Sequence, residues 1–187
     1  DILCGLRKKS ELESLLPALR QKSPQDILGW ALEFFGTKNI AFASSLGAED
    51  QALTDMLVKI DRSVKIFSLD TGRLPQETHD TIAATEKKYG IMIELLFPDT
   101  LELGKMVNEH GPNLFYDSVE KRKLCCEIRK INPLRRKLKT LDAWICGLRR
   151  EQGEARARIE PLEWDENFSL FKVNPLFEWT EEDVWKY

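Results

Sequence analysis

The chain has 187 residues, 42% of them hydrophobic and 32% charged, with a formal net charge of −3 at pH 7. That length suits one α/β domain with a continuous core. The mild acidity argues against a general nucleic-acid or membrane surface, though local basic clusters can still hold a small anion.

No apolar run approaches the about 20 residues of a membrane span, and no signal-peptide pattern opens the chain. The four cysteines are Cys4, Cys125, Cys126 and Cys146. They are few for a secreted disulfide scaffold, and adjacent cysteines do not readily bridge, so a reducing cytoplasm is expected. Asp1 stands where a Met would begin a gene product, and "EEDVWKY" closes the sequence like the first turns of a helix. Both ends suggest a longer natural chain.

In chain order, "SPQDILGWALEFFG" predicts a helix with Ser23 as N-cap, Pro24 in the first turn and Gly36 as stop. Trp30, Phe34 and Phe35 look like one packed face of it. "NIAFASSL" (39–46) reads as the first strand, and "AEDQALTDMLVKID" as a helix. "SVKIFSLD" (63–70) is a second strand, followed by the turn "TGRLP" and a helix from about Gln76 to Tyr89. "IMIELLF" (91–97) is a third strand, and "DTLELGKMVNEHG" a helix closed by Gly111. A basic helix around "CCEIRKINPLRRKLK" precedes a fourth strand, "AWICGL" (143–148). A polar, arginine-rich loop follows, then "FSLFKVNPL" (168–176) as an edge strand or extended segment. Strands alternating with helices at this spacing predict a mostly parallel twisted sheet covered by helices on both faces, in three layers.

Ligands of open parallel sheets collect beyond the carboxyl ends of the strands. Three such segments carry chemistry. In "SSLGAEDQ", Ser44 and Ser45 offer hydroxyls, Gly47 admits a ligand to the backbone, and Asp50 lies at a helix start whose free N–H groups face the same point. In "SLDTGRLPQET", Asp70 can accept from a ribose hydroxyl or an adenine amino group, Gly72 permits a tight turn, and Arg73 adds a cation. In "GLRREQGEARAR", Arg149, Arg150, Arg156 and Arg158 supply forks that match phosphate or sulfate oxygens. A solvated turn or a self-neutralised charge run would explain each segment taken alone. Glu151, Glu154 and Glu160 stand ready to neutralise the last of them.

Cys125 and Cys126 lie in a basic stretch that favours thiolate, the form that ligates metal or attacks sulfur. Two adjacent thiolates ligate one side of an iron–sulfur cluster and leave a four-cysteine site half filled. Cys146 sits in an apolar strand and reads as buried and inert; Cys4 is uninformative. His79 and His110 make no ligand pattern with any cysteine and read as surface residues on helices.

Together, "SSLGAEDQ", "FSLDTGRLPQET", "CCEIRKINPLRRKL" and "GLRREQ" with Arg156 following resemble the assimilatory adenylyl sulfate (APS) reductases, within the phosphoadenylyl sulfate (PAPS) reductase family. The motifs stand in family order and cover roughly residues 23–187. The resemblance implies a fold of the adenine nucleotide alpha hydrolase type, with the first loop a modified PP-loop, and one nucleotide-binding reductase domain over residues 1–187. It implies reduction of adenylyl sulfate to sulfite and AMP in sulfate assimilation, with electrons from thioredoxin and an enzyme cysteine S-sulfonate between the two half-reactions. Carried over, Ser44, Ser45, Gly47, Asp50, Asp70, Thr71, Gly72, Arg73, Arg149, Arg150 and Arg156 bind substrate. Lys130 and Arg156 serve the reaction, and Cys125 and Cys126 match two ligands of a [4Fe–4S] cluster.

The family's later Cys-x-x-Cys and its C-terminal Glu-Cys-Gly-Leu-His tail, which bears the nucleophile, do not occur in these residues. They are expected beyond Tyr187. "REQGEAR" also replaces the serine and threonine that usually precede the arginine. The Cys-Cys pair accompanies the enzymes that use the unphosphorylated nucleotide. A PAPS reductase, a PP-loop enzyme that adenylates or thiolates with ATP, and a non-catalytic nucleotide-binding or iron–sulfur scaffold are the alternatives. Oligomeric state is open, a homo-oligomer included.

Overall fold

The computed structural model of the protein describes residues 2–187, with side chains from Ser10 onward. Cys4 therefore lies outside the described side chains. Helix α1 (Ile2–Leu19) comes first, and its end packs on the core through Leu19. The predicted Ser23 cap is present: its hydroxyl accepts from the Asp26 amide at the start of α2 (Pro24–Phe35), and Gly36 ends the helix. Trp30 stacks on Phe34, and Phe35 packs edge-on against both.

Six strands form one sheet. They are β1 (Ile40–Ala43), β2 (Lys65–Leu69), β3 (Glu94–Leu96), β4 (Ala143–Ile145), β5 (Leu162–Asp165) and β6 (Leu170–Val173), in the order β3-β2-β1-β4-β6-β5. All neighbours are parallel except β5 and β6. The segment 168–176 thus supplies an interior strand rather than an edge, since β6 pairs with β4 on one side and β5 on the other. Strand β5 lies where the sequence suggested only a polar loop.

The apolar runs of the central strands follow from burial on both faces. On one face Ile40, Phe42, Ile66, Ile145 and Val173 meet Leu28 of α2, Leu53 and Leu57 of α3 (Ala48–Ile60) and Ile82 of α4 (Gln76–Tyr89). On the other, Ala41, Phe67 and Leu170 meet Leu134 and Leu138 of α7 (Asn132–Leu138). Alternate residues of β1 divide between the two clusters, as the two-residue pleat requires.

Helix α5 (Thr100–His110) is closed by Gly111, as expected, and Asp99 caps its start. The predicted basic helix is composite. Helix α6 (Val119–Cys126) runs through a wider π-helical turn, Glu127–Ile131, into α7. There the Asn132 amide donates to the Glu127 carbonyl, five residues back. The closing residues form α8 (Glu181–Lys186), packed on α3. No helix among the described residues is long and apolar enough to cross a membrane.

Candidate functional site

Outward from β1 the chain runs to β2 and β3 on one side and to β4 and β6 on the other. The connections therefore diverge between β1 and β4, the place where open α/β sheets hold ligands. The first loop leaves β1 there. Ser44 is buried, and its amide donates 2.8 Å to the Phe67 carbonyl, tying the loop to β2. Leu46 takes φ 66°, a left-handed conformation unusual for a branched side chain and costing about 1–2 kcal/mol; its amide donates to Ser44 Oγ at 3.1 Å. Gly47 is the N-cap of α3 and offers no side-chain cap, so the helix opens toward this loop without one.

Asp50 lies behind the loop. Its Oδ2 accepts the Ser45 amide and hydroxyl, each at 2.6 Å. Burial pushes its carboxyl above the usual range, against the lowering effect of the Ser45 bonds and with a further rise from Glu49. A Cβ on Gly147 would lie 2.0 Å from Asp50 Oδ1, so β4's exit must be glycine for this carboxylate to fit. The sequence grouped Asp50 with the substrate-binding residues; the structure aims it at the loop's own backbone. Ser45, expected to offer a free hydroxyl, already donates it to Asp50.

The second loop is held in a similar way. Asp70 is buried, accepting from the Gly72 amide (2.8 Å) through Oδ1 and meeting His79 Nε2 (2.9 Å) through Oδ2. His79, expected as a plain surface residue, thus braces this turn from α4. Gly72 sits at φ 72°, where a side chain would be strained. Arg73 turns away, donating to the Pro112 carbonyl and Asn113 Oδ1 and lying 4.8 Å over the Phe115 ring.

The arginine segment folds against the first loop. Arg149 is buried and bonds Glu49 through Nε and Nη2, each at 2.9 Å, and Glu151 through Nη1. Gln152 donates to the same Glu49 oxygen. Burial pushes the Glu49 carboxyl up, but its own backbone amide, Arg149 and Gln152 outweigh that, leaving it below the usual range. Arg150 lies between Glu160 and Glu178 and over Phe177. Arg156 is exposed and donates to Gln152 Oε1. Arg149 and Arg150 are thus largely neutralised by carboxylates, as the run of glutamates had suggested.

Cys125 is buried with Met106 and Leu114, while Cys126 is exposed at the end of α6. The two thiols fit half of a four-thiolate donor set. Among the described residues no group of three or more His, Cys, Asp or Glu could hold a metal. Burial drives the Cys146 thiol far above its ordinary value, leaving it inert as expected.

The first two loops, the turn that carries Lys130 and strand β4 border a cleft of about 310 Å³. Ala43, Phe67, Leu69, Leu74, Leu134 and Trp144 give it an apolar wall; Ser44, Ser45, Ser68, Thr71, Thr78 and Lys130 give it a polar one. Among the described residues no carboxylate pairs with Lys130. The Trp144 indole N–H is buried without a hydrogen-bond partner. Of the predicted site residues, Ser44, Ser45, Thr71 and Lys130 line this cleft. Gly47, Asp50, Asp70, Gly72 and Arg149 support the turns around it, whereas Arg73 and Arg150 are engaged elsewhere. Sequence reading missed Trp144, whose ring reads as simple core, and Arg129, one more cation in a basic run.

Residues 39–187 match the family profile "Phosphoadenosine phosphosulfate reductase domain". An adenosine 5'-phosphosulfate reductase of Allochromatium vinosum is 44% identical over 149 residues, covering 80% of this chain and 58% of that protein. One from Burkholderia cepacia is 47% identical over 148 residues, covering 79% and 59%. The chain thus spans about three fifths of the length of these relatives. The crystal structure of a PAPS reductase from Candida auris in complex with phosphate superposes with a TM-score of 0.80 at 23% identity, over 94% of this chain and 83% of that one. The expected mostly parallel sheet, of the adenine nucleotide alpha hydrolase-like class, is borne out.

Proposed function

Because the chain belongs to the phosphoadenosine phosphosulfate reductase family, we propose that it is the nucleotide-binding reductase domain, over residues 1–187, of an enzyme that reduces adenylyl sulfate to sulfite and AMP. The observation that carries this reading is the cleft at the head of β1, where an apolar wall with an orphaned indole N–H faces Ser44, Thr71 and Lys130, which pairs with no carboxylate among the described residues. An adenine ring suits the apolar side. An anionic group suits the side lined by Lys130 and the Ser44 hydroxyl.

In this reading the thiolate of a cysteine outside residues 1–187 attacks the sulfate sulfur. The S–O bond to AMP breaks, AMP leaves with that electron pair, and a cysteine S-sulfonate remains. One thiolate of reduced thioredoxin then attacks the cysteine sulfur and sulfite leaves; the second thioredoxin thiol attacks the thioredoxin sulfur of the mixed disulfide, closing the thioredoxin disulfide and freeing the enzyme cysteine as thiolate. Both the incoming thiolate and the departing nucleotide are anionic, so Lys130 lowers the barrier by neutralising charge where they meet. Arg156, exposed and donating to Gln152, joins it when the cleft is filled. Asp50, Asp70 and Glu49 with Arg149 hold the turns in place and do not touch the reacting atoms.

Cys125 and Cys126 would hold one side of a [4Fe–4S] cluster, with two further cysteines from outside these residues. Bound there, the cluster would tether those outside cysteines to the helical turn that carries Lys130, and the cations of this basic stretch would offset the negative charge of its four thiolates.

The test is intact-mass analysis of the natural full-length protein after adding adenylyl sulfate. One sulfonate adduct, discharged as sulfite by reduced thioredoxin, is expected. Absence of both adduct and sulfite would overturn the reading, adduct formation only with the 3′-phosphorylated nucleotide would transfer it to PAPS, and pyrophosphate release from ATP would favour an adenylating enzyme. Lys130→Ala is expected to lower turnover by about 100-fold. Because Lys130 is exposed, its stability should shift by less than about 0.5 kcal/mol.

A further inference from the structure

Arg129 is 7% exposed, and among the described residues no carboxylate pairs with it. Its Nη1 donates 2.6 Å to the Thr71 carbonyl, and its buried Nε has no partner. A guanidinium stays charged at any pH a protein tolerates, and burying it with a neutral acceptor and an orphaned donor is costly. An apolar side chain of similar volume would serve packing better. The cost is sustained at one place: the contact between the π-helical turn and the second loop.

We infer that Arg129 is a positioning residue that locks the Thr71–Gly72 turn, one wall of the nucleotide cleft, onto the helical turn that carries Lys130. Successive residues of that turn act in different directions. Arg129 reaches inward to the Thr71 carbonyl, and Lys130 lines the cleft that Thr71 also borders. The opposite side of the loop is fixed by Asp70, which accepts the Gly72 amide, and by Thr71 Oγ1, which accepts the Arg73 amide at 3.3 Å. Without Arg129 the Thr71 carbonyl loses the charged donor that sets the loop's distance from Lys130. Gly72 fits this packing: a Cβ there would lie 3.4 Å from Arg129 Nη1, at a φ that already disfavours a side chain.

The ligand half of this inference rests on the nucleotide reading above; the structural half does not. In the natural full-length protein, Arg129→Met is expected to weaken AMP binding by at least about tenfold in calorimetric titration, the loss of one charge-assisted hydrogen bond. Arg129→Lys, which keeps the charge and one donor, should recover to within about threefold of native. In ligand-free Arg129→Met, hydrogen exchange at the Gly72 and Arg73 amides should accelerate by at least about tenfold while Phe67 and Ser68 in β2 keep native protection. A folded Met variant with native AMP affinity, failure of Lys to rescue, or exchange that is unchanged or raised evenly through β2 would overturn the inference. Should Arg129→Met fail to fold, Arg129→Gln takes its place, and faster exchange at the same two amides supports the inference while native exchange there overturns it. If the native protein does not bind AMP, the nucleotide reading fails and the exchange measurement still decides the role of Arg129.

Discussion

Glu49 and Asp50 are adjacent carboxylates at the start of α3, and their surroundings drive their protonation in opposite directions. Glu49 is held below its ordinary value, so its contribution is complete above the unfolded pKa of about 4.3 and is lost as pH falls through the folded one. Asp50 is held above its ordinary value, so the folded state binds that proton more tightly, and its cost grows as pH rises through the folded pKa. Urea midpoints between about pH 5 and about pH 3 should separate them: Glu49→Gln should lose less stability on acidification than the native chain, and Asp50→Asn more. Gly147→Ala places a methyl on Asp50 Oδ1. It should cost about 1–3 kcal/mol in denaturation and, by turning the carboxylate away from Ser45, weaken AMP binding. After treatment with chelator, alkylation followed by peptide mapping should modify Cys126 and spare Cys146, as exposure and burial dictate. Residue types at the site were legible in the sequence, but their pairings were not. Nothing in "SSLGAEDQ" says that Asp50 bonds backward to Ser45, and no local signal joins Glu49 to an arginine 100 positions on.

At the level of elements, signals carried by local chemistry were legible in the sequence. The cap at Ser23, the stops at Gly36 and Gly111 and the helix Gln76–Tyr89 stand where propensity and capping place them. Strands came out longer than observed, because an apolar run continues past the last paired residue. Strand β5 escaped notice because "LEWD" is four residues long and half of them are charged, inside an already polar segment; it exists through pairing with β6, a tertiary cause. The π-helical turn was equally hidden, since a helical apolar period cannot report one residue of slack. Its leading segment, α6, depends on Ser118, whose hydroxyl accepts the Lys121 amide. Ser118→Ala should lower stability by about 1 kcal/mol, measured by thermal or urea denaturation, and raise amide exchange over the first turn of α6.

Across the whole molecule, stability resides in a sheet covered on both faces, while the chemistry sits on turns at its rim. Leu53 and Phe42, wholly buried in the larger cluster, illustrate the division. Leu53→Ala should cost about 2–5 kcal/mol in chemical denaturation and leave AMP affinity of the folded fraction unchanged. The strand order has a further consequence for biosynthesis. Strand β1 gains its second neighbour only when residues 143–145 arrive, and the Glu49–Arg149 clasp must wait for them too. A nascent chain that has emerged only as far as α7 owns the serine loop, the aspartate turn and the paired thiols, yet has no closed cleft. On the proposed reading, a nucleotide that needs the whole cleft binds only the finished domain and offers no template to the ribosome-bound intermediate.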